Sequence, residues 1–398
     1  MSQKLLSTCL GILCLCTSLS AQDPFFTHFY GNESAFNPAF VGKRGSMSFT
    51  AKHRTQWGSN SSQAYTTSQV TFEESLPCFF LDWGLVATRD EEGEGLLTTN
   101  EFGLRTAFFV PTSGRKYSTR SAGNLRFGVG LHWGQRRIDY SRLTFLDQLD
   151  PIYGLLDRDG RLNPTAFNGA NETADSPWYF SPSLGVAWRH IMNRRDAKSW
   201  VFDLGLAVHN WGGLVSVDGR QTASLLGLDN PLGERWVASL TAEKVVYARR
   251  GRHWAIRPSL VVQMQEGLAY AEAGMGLTWQ RNATLGLHYH QAKSNADGSN
   301  TNWVSLQLEM GFILPNGSNR FDLGISYSMQ NGPLKNYVAS PLELTARLHF
   351  GGKSLSCLIA GLGDEGAYSN RQTNCYLFHV SAAREKIYDN IWYSDDQL

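Results

Sequence analysis

The stretch HYHQ (288–291) sets two imidazoles, His288 and His290, two residues apart. In a strand that spacing puts both on one face. It is the geometry of half a metal site, or of a base waiting for a nucleophile. A working site needs a third group, and no carboxylate or cysteine sits at a matching spacing nearby. The sequence also lacks a Gly-x-Ser-x-Gly elbow, a Walker A loop and a paired Cys-x-x-Cys. Two oxygen-rich stretches, DEEGEG (90–95) and LDRDGRLN (156–163), share calcium-site composition but not the twelve-residue spacing with a terminal Glu. They read as solvated loop acids, and the histidines as satisfied inside the fold. No catalytic, cofactor-binding or metal residue is assigned, and no enzyme is expected.

The elements that must position these residues begin after a leader. Residues 1–21 have a basic start at Lys4, an apolar stretch from Leu5 to Leu19 and a small-residue end at Ser20-Ala21. This is a secretory signal pattern, too short to span a bilayer. The chain has 36 Lys+Arg and 35 Asp+Glu; losing Lys4 leaves 36 − 1 = 35 against 35, a net charge of zero. Nothing invites nucleic acid. Cys78, Cys357 and Cys375 remain, and in an oxidising compartment Cys357 and Cys375 are a possible disulfide.

Period-two alternation dominates the rest. RFDLGISYSMQ puts Phe321, Leu323, Ile325, Tyr327 and Met329 on one face. LELTARLHF sets Leu342, Leu344, Ala346, Leu348 and Phe350 against Glu343, Thr345, Arg347 and His349. Fourteen such segments run through 45–57, 63–73, 79–91, 97–111, 123–139, 181–191, 200–210, 235–247, 254–267, 268–280, 283–293, 301–314, 320–330 and 341–350. Alternation alone fits a secreted β-sandwich as well as a transmembrane barrel. Connection lengths separate them. The long gaps 140–180, 211–234 and 331–340 fall at odd positions in the series, and most even gaps are short. Long loops outside and short turns in the periplasm produce that parity. Trp57, Trp133, Trp200, Trp236, Trp254, Trp279 and Trp303 lie near strand ends and suit interfacial girdles. The fold class expected is an all-β, transmembrane antiparallel up-and-down β-barrel of about fourteen strands.

The opening stretch QDPFFTHFYGNESAFNPAFVG (22–42) resembles the start of the PorP/SprF family of type IX secretion in Bacteroidetes. HRTQWG (53–58), GLVATRDEEGEGLL (84–97) and LTFLDQLDP (143–151) resemble further family motifs in order. The residues carrying the resemblance are Gln22, Asp23, Pro24, Asn37, Pro38, Ala39, Gly42, Arg54, Gln56, Trp57, Asp147 and Gln148. The resemblance implies a non-enzymatic outer-membrane component. It would anchor or help export large adhesin-like surface proteins and dock periplasmic secretion components. It also implies outer-membrane lipid as a partner, and no cofactor. The expected order is signal peptide 1–21, periplasmic N-terminal segment 22–44, barrel 45–350 and periplasmic C-terminal extension 351–398. In this scheme Asn37-Pro38 is a periplasmic entry turn into the first strand, with Phe36 and Phe40 packing at the barrel mouth or in a plug. The alternative function is an outer-membrane channel for small solutes. What separates the two is whether the lumen is plugged, and the segments 22–44 and 140–180 are the candidate plugs.

Overall fold

A computed structural model describes residues 26–43, 47–56, 65–76, 81–93, 97–112, 121–152, 154–167, 172–192, 200–211, 215–216, 233–249, 252–265, 267–279, 282–294, 300–314, 319–330 and 340–350. The leader, Gln22, Asp23, Pro24, Trp57, Cys78 and the extension 351–398 with Cys357 and Cys375 lie outside the described residues.

Among the described residues, sixteen strands follow along the chain. They are β1 Met47–Gln56, β2 Tyr65–Leu76, β3 Leu81–Glu92, β4 Leu97–Pro111, β5 Ser121–Asp139, β6 Thr173–Asp175, β7 Tyr179–Met192 and β8 Trp200–His209. Then come β9 Val215–Ser216, β10 Arg235–Arg249, β11 Arg252–Gln265, β12 Leu268–Trp279, β13 Ala283–Ser294, β14 Asn300–Ile313, β15 Asn319–Gln330 and β16 Leu342–Phe350. Fourteen of them form an antiparallel closed barrel. β6 and β9 are short additions that pair with the ends of β5 and β7.

Closure has a physical cause: lipid offers no hydrogen bonds, so no strand edge can be left open. β1 pairs with β16 from Met47↔Phe350 to Thr55↔Leu342. The long connection after β5 is closed by the β5–β7 ladder, in which Gly128 faces Gly185. All fourteen barrel strands coincide with the alternating sequence segments, their ends differing by a few residues.

The alternation sorts the side chains as expected. Along β13, Leu285, Leu287 and Tyr289 are exposed on the outer face while His288 and His290 are buried inside. Along β16, Leu342 and Leu344 face out; Glu343, Thr345, Arg347 and His349 are buried in the lumen. The tryptophans divide between the two rims. Trp133 and Trp236 lie near the end that carries the 140–178 connection. Trp200, Trp254 and Trp279 lie near the opposite end, where the Trp254 and Trp279 rings pair at 6.3 Å. Trp303 departs from the girdle expectation. It stands opposite His290 in the ladder and stacks on its ring at 5.2 Å, so it belongs to the inner face.

Leu344 sits 43% exposed on the outer face, where a charge near the bilayer midplane costs roughly 2–4 kcal/mol. Leu344→Arg should lower the heat-modifiable folded fraction on gels, and Leu344→Ile should leave it unchanged. Equal behaviour of the two variants would contradict a lipid-facing Leu344. Thr345 is a poor neutral comparison, because its hydroxyl lies 3.5 Å from His28 Nδ1 in a filled lumen.

Candidate functional site

The lumen is occupied by the chain itself. Residues 26–43 run through it as three short 3-10 turns, Phe29–Gly31, Glu33–Ala35 and Pro38–Phe40. Nearly every residue of the segment is buried. The sequence places the segment in the periplasm with its Asn-Pro turn at the barrel entry, and also makes 22–44 one of two candidate plugs; the described residues 26–43 are a plug. What differs is the position of the turn, which lies not at the entry but against the middle of β5, β7 and β8.

The Asn-Pro-Ala motif explains its own position. Pro38 occupies the first helical position, where its fixed φ is favourable and its missing N–H costs nothing. Asn37 caps the turn: its Oδ1 accepts from Ala39 N at 2.8 Å. The same amide's Nδ2 donates to the carbonyls of Val186 and Leu206, at 3.1 Å each. One side chain thus both caps the turn and ties it to two wall strands. The wall admits this contact because it is bare there. A β-carbon at Gly128 would lie 2.1 Å from Ala39 N, and one at Gly185 would lie 2.0 Å from Asn37 Oδ1. Phe26, Phe29, Phe36 and Phe40 pack with Ala187, Ala207, Val237 and Val261 into an apolar cluster in the lumen.

The segment leaves this bay through Gly42, whose φ of +61° favours glycine. Arg126 locks the exit. Its Nε donates to Ala39 O and its Nη2 to Val41 O, both at 2.6 Å, and Nη2 also meets Asp82 at 2.5 Å. Lys43 bridges Glu33 at 2.8 Å and Asp203 at 3.0 Å.

The opposite wall is charged. Glu343 accepts from Thr27 N at 2.9 Å and pairs with Lys52 at 2.8 Å; Lys52 also donates to His28 O at 3.1 Å. Arg347 donates to the carbonyls of Tyr30 and Gly31. His28 meets Glu309 at 2.7 Å, and Arg257 bridges Glu309 at 3.1 Å while lying over the Tyr30 ring at 3.9 Å. Asn32 donates to Gln69 and Thr71 of β2. Buried charges of this kind are held only when paired and hydrogen-bonded. Here the plug backbone provides part of that pairing.

The other residues singled out in the sequence fall in three places. Arg54 is buried in the lumen wall opposite Glu343 in the β1–β16 ladder, and Gln56 ends β1. Asp147 and Gln148 lie far from the plug, in the connection between β5 and β7. Asp147 accepts from Thr165 Oγ1 at 2.9 Å and Ala166 N at 2.6 Å. Gln148 bonds Phe145 N and Asn163 O, and Asn163 Nδ2 returns a bond to Gln148 O. These two residues staple the loop 143–167. In LDRDGRLN, Asp157 accepts from Asp159 N and Arg161 N, so this carboxylate is taken up by its own turn.

His288 and His290 are joined by groups that sequence spacing missed. Glu272 on β12 lies 2.8 Å from His288 Nδ1. Tyr270 OH bonds both Glu272 and His290, and His290 Nε2 meets Ser305 Oγ at 2.6 Å. The line Ser305–His290–Tyr270–Glu272 has the connectivity of a relay. Ser305, His290 and Glu272 are fully buried, however, so no substrate carbonyl reaches the hydroxyl. Among the described residues, no three His, Cys, Asp or Glu side chains are grouped to hold a metal.

A closed barrel with an apolar outer band and a polar, filled interior is a membrane protein of the outer-membrane class. A family model for the type IX secretion system membrane protein PorP/SprF matches residues 18–348, and the chain belongs to that family. It is thus a secretion-system membrane protein located in the cell outer membrane. The Pseudomonas aeruginosa FadL homologue is 10% identical, with 83% of this chain and 99% of that one covered and a TM-score of 0.39. The Pseudomonas putida toluene transporter TodX is 13% identical, with 83% and 95% covered and a TM-score of 0.34. The transport unit of the autotransporter AIDA-I from Escherichia coli is 9% identical, with 81% and 97% covered and a TM-score of 0.34. No curated protein matches this chain.

Two outcomes follow from this geometry. Gly128→Val suits a strand but drives a side chain into the backbone of Ala39, an overpacking worth about 1–3 kcal/mol or more. The barrel should stay heat-modifiable while the 26–43 segment becomes cleavable by protease and conductance in planar bilayers rises. Unchanged cleavage and conductance would count against a seated plug. The second outcome concerns Asp147, whose carboxyl the Ala166 N–H and the Thr165 hydroxyl hold below the usual carboxylate range. A depressed value means that this contribution to loop order is complete above the ordinary value of about 3.9 and is lost as pH falls through the lower, folded value. At neutral pH, Asp147→Ala should therefore speed nicking within 143–167 with barrel stability unchanged; unaltered nicking would remove the staple.

Proposed function

We propose that this chain is a non-enzymatic component of the type IX secretion and gliding system that anchors or assists export of large surface proteins and docks periplasmic machinery. The observation that carries the reading is the filled lumen. A segment bonded to both halves of the wall weighs against the alternative, a standing channel for small solutes. Work done by protein contacts at the two rims fits such a barrel better.

The rims differ in a way that supports this assignment. One end carries the 140–178, 210–234 and 331–341 connections; the other carries the start of β1 and the end of β16. We place the first end outside the cell and the second in the periplasm. On the first end the stapled loop presents Leu146, Ile152 and Leu162 at 85, 82 and 70% exposure. Apolar side chains held out on an ordered loop are what a protein-binding surface offers. The periplasmic extension 351–398, with the possible Cys357–Cys375 disulfide, remains a proposed docking element for periplasmic type IX components, and adhesin-like surface proteins remain the proposed cargo.

A protease-accessible tag in 156–170 should be cut on intact cells, and one in 194–198 should not. The reverse pattern would invert the proposed orientation. Crosslinking in cells followed by capture of the barrel should recover a surface protein, and Leu146→Asp with Ile152→Asp should reduce that recovery severalfold. Undiminished recovery from this variant would move the contact away from the loop.

A further inference from the structure

The barrel closes where its first strand meets its last. β1 and β16 are the neighbours most distant in sequence, with Met47 opposite Phe350. Their pairing therefore carries the largest loop-closure cost of any in the wall. β16 spans nine residues and is the shortest barrel strand among the described residues. At the centre of this seam the outer face sets Ala51 opposite Ala346. Two alanines add little of the cross-strand packing that stabilises a sheet.

The inner face of the seam is built differently. Lys52 of β1 pairs with Glu343 of β16 at 2.8 Å, and Arg347 of β16 donates from Nε to Thr50 Oγ1 of β1 at 3.1 Å. The plug completes both contacts. Glu343 accepts from Thr27 N at 2.9 Å and from Thr27 Oγ1 at 3.1 Å. Lys52 donates to His28 O at 3.1 Å and lies 4.2 Å from the centre of the Phe26 ring. Arg347 Nη2 donates to the carbonyls of Tyr30 and Gly31. Lys52, Glu343 and Arg347 are all buried, where an ionised group is held only by partners of this kind. Residues 26–31 thus grip β1 and β16 at once. The later part of the segment is moored on other strands: Asn37 on β7 and β8, Ala39 and Val41 on Arg126 of β5.

We propose that residues 26–31 are a clasp on the β1–β16 seam. With the clasp seated the seam resists opening. Withdrawal of these residues loosens that seam before any other, while 37–43 keeps its mooring. The backbone ladder remains, so an unclasped barrel is still folded. Plug position and seam strength are then coupled, and whatever draws 26–31 away softens the wall along one line. The clasp does not rest on the secretion reading, so each can fail without the other.

Backbone hydrogen exchange of the full-length barrel in detergent micelles, resolved strand by strand, tests it. Thr27→Val removes the hydroxyl bond to Glu343 and keeps the side-chain volume. Gly31→Val is the stronger variant, because a β-carbon there would lie 3.0 Å from Thr345 Oγ1 of β16 and 3.2 Å from Lys52 Nζ of β1. Thr27→Val keeps the test open should Gly31→Val fail to fold. Both variants should speed exchange severalfold in 47–56 and 342–350 and leave 268–294 at the wild-type rate. A second measurement locates the weakness independently. A disulfide joining Ala51→Cys to Ala346→Cys should restore the heat-modification midpoint that the plug variants lower. One joining Leu260→Cys to Ala273→Cys, paired across β11 and β12, should not. Exchange raised equally in all strands, unchanged exchange at the seam in both variants, or equal rescue by the two disulfides would overturn the clasp.

Discussion

The contact between the Asn37-Pro38-Ala39 turn and the bare patch at Gly128, Gly185 and Gly205 is the constraint from which the rest of the interior follows. A β-carbon at Gly205 would lie 2.7 Å from the Phe40 ring, so the patch is shaped across three neighbouring strands. There the plug comes close enough to the wall for one amide, Asn37 Nδ2, to reach two wall carbonyls. Fixing the turn fixes the two runs that leave it. Residues 26–36 must cross toward β16, β1 and β2. Residues 40–43 must turn back through Gly42 toward the start of β1. The four phenylalanines then have one apolar bay to fill, and the polar backbone of 27–32 has one charged wall to meet.

The charged wall makes sense only with the segment in place. Lys52 and Glu343 form a fully buried pair, and Arg347 donates from Nη2 to two plug carbonyls while its Nε donates to Thr50 of the wall. Breaking one partner of a buried pair costs far more than an exposed pair contributes, because a charge is left uncompensated. The wall residues are thus poorly suited to an empty lumen. The family reading and the plug are linked at this point. Two parts of the resemblance, Asn37 to Gly42 and Arg54, belong to one interior assembly. Asp147 and Gln148 belong to another, the connection between β5 and β7.

The wall was legible in the sequence because its cause is local. Each strand announces itself by two-residue alternation, so even β4, at 97–111, could be read to the residue. Loop parity identified which connections share a rim. The interior was less legible, since its pairings join residues hundreds of positions apart: Thr27 with Glu343, Asn37 with Leu206, Arg126 with Val41. Sequence marks such positions only as polar or glycine residues on the inner face. The sequence therefore shows Asn37-Pro38 as a turn but not the wall strands on which it sits. Trp303 misled for a related reason. Aromatics near strand ends face lipid or lumen according to register, and His290 opposite it decides for the lumen.

The two faces of the barrel therefore carry different kinds of information. The outer face needs only to be apolar, and many sequences satisfy it. The inner face must match a particular segment, residue against residue. A substitution on the outer face is tolerated while it stays apolar. One at Gly128, Arg126 or Glu343 changes what the segment can bond to. The family's distinguishing residues would then be expected on the plug, its seat and the stapled loop rather than on the lipid band. The quoted motifs lie mainly there: Asn37-Pro38-Ala39 and Gly42 in the segment, Arg54 on the wall, Asp147-Gln148 in the loop. The plug and the loop are the parts of the molecule that a generic barrel does not need, and a specific function has to be built from them.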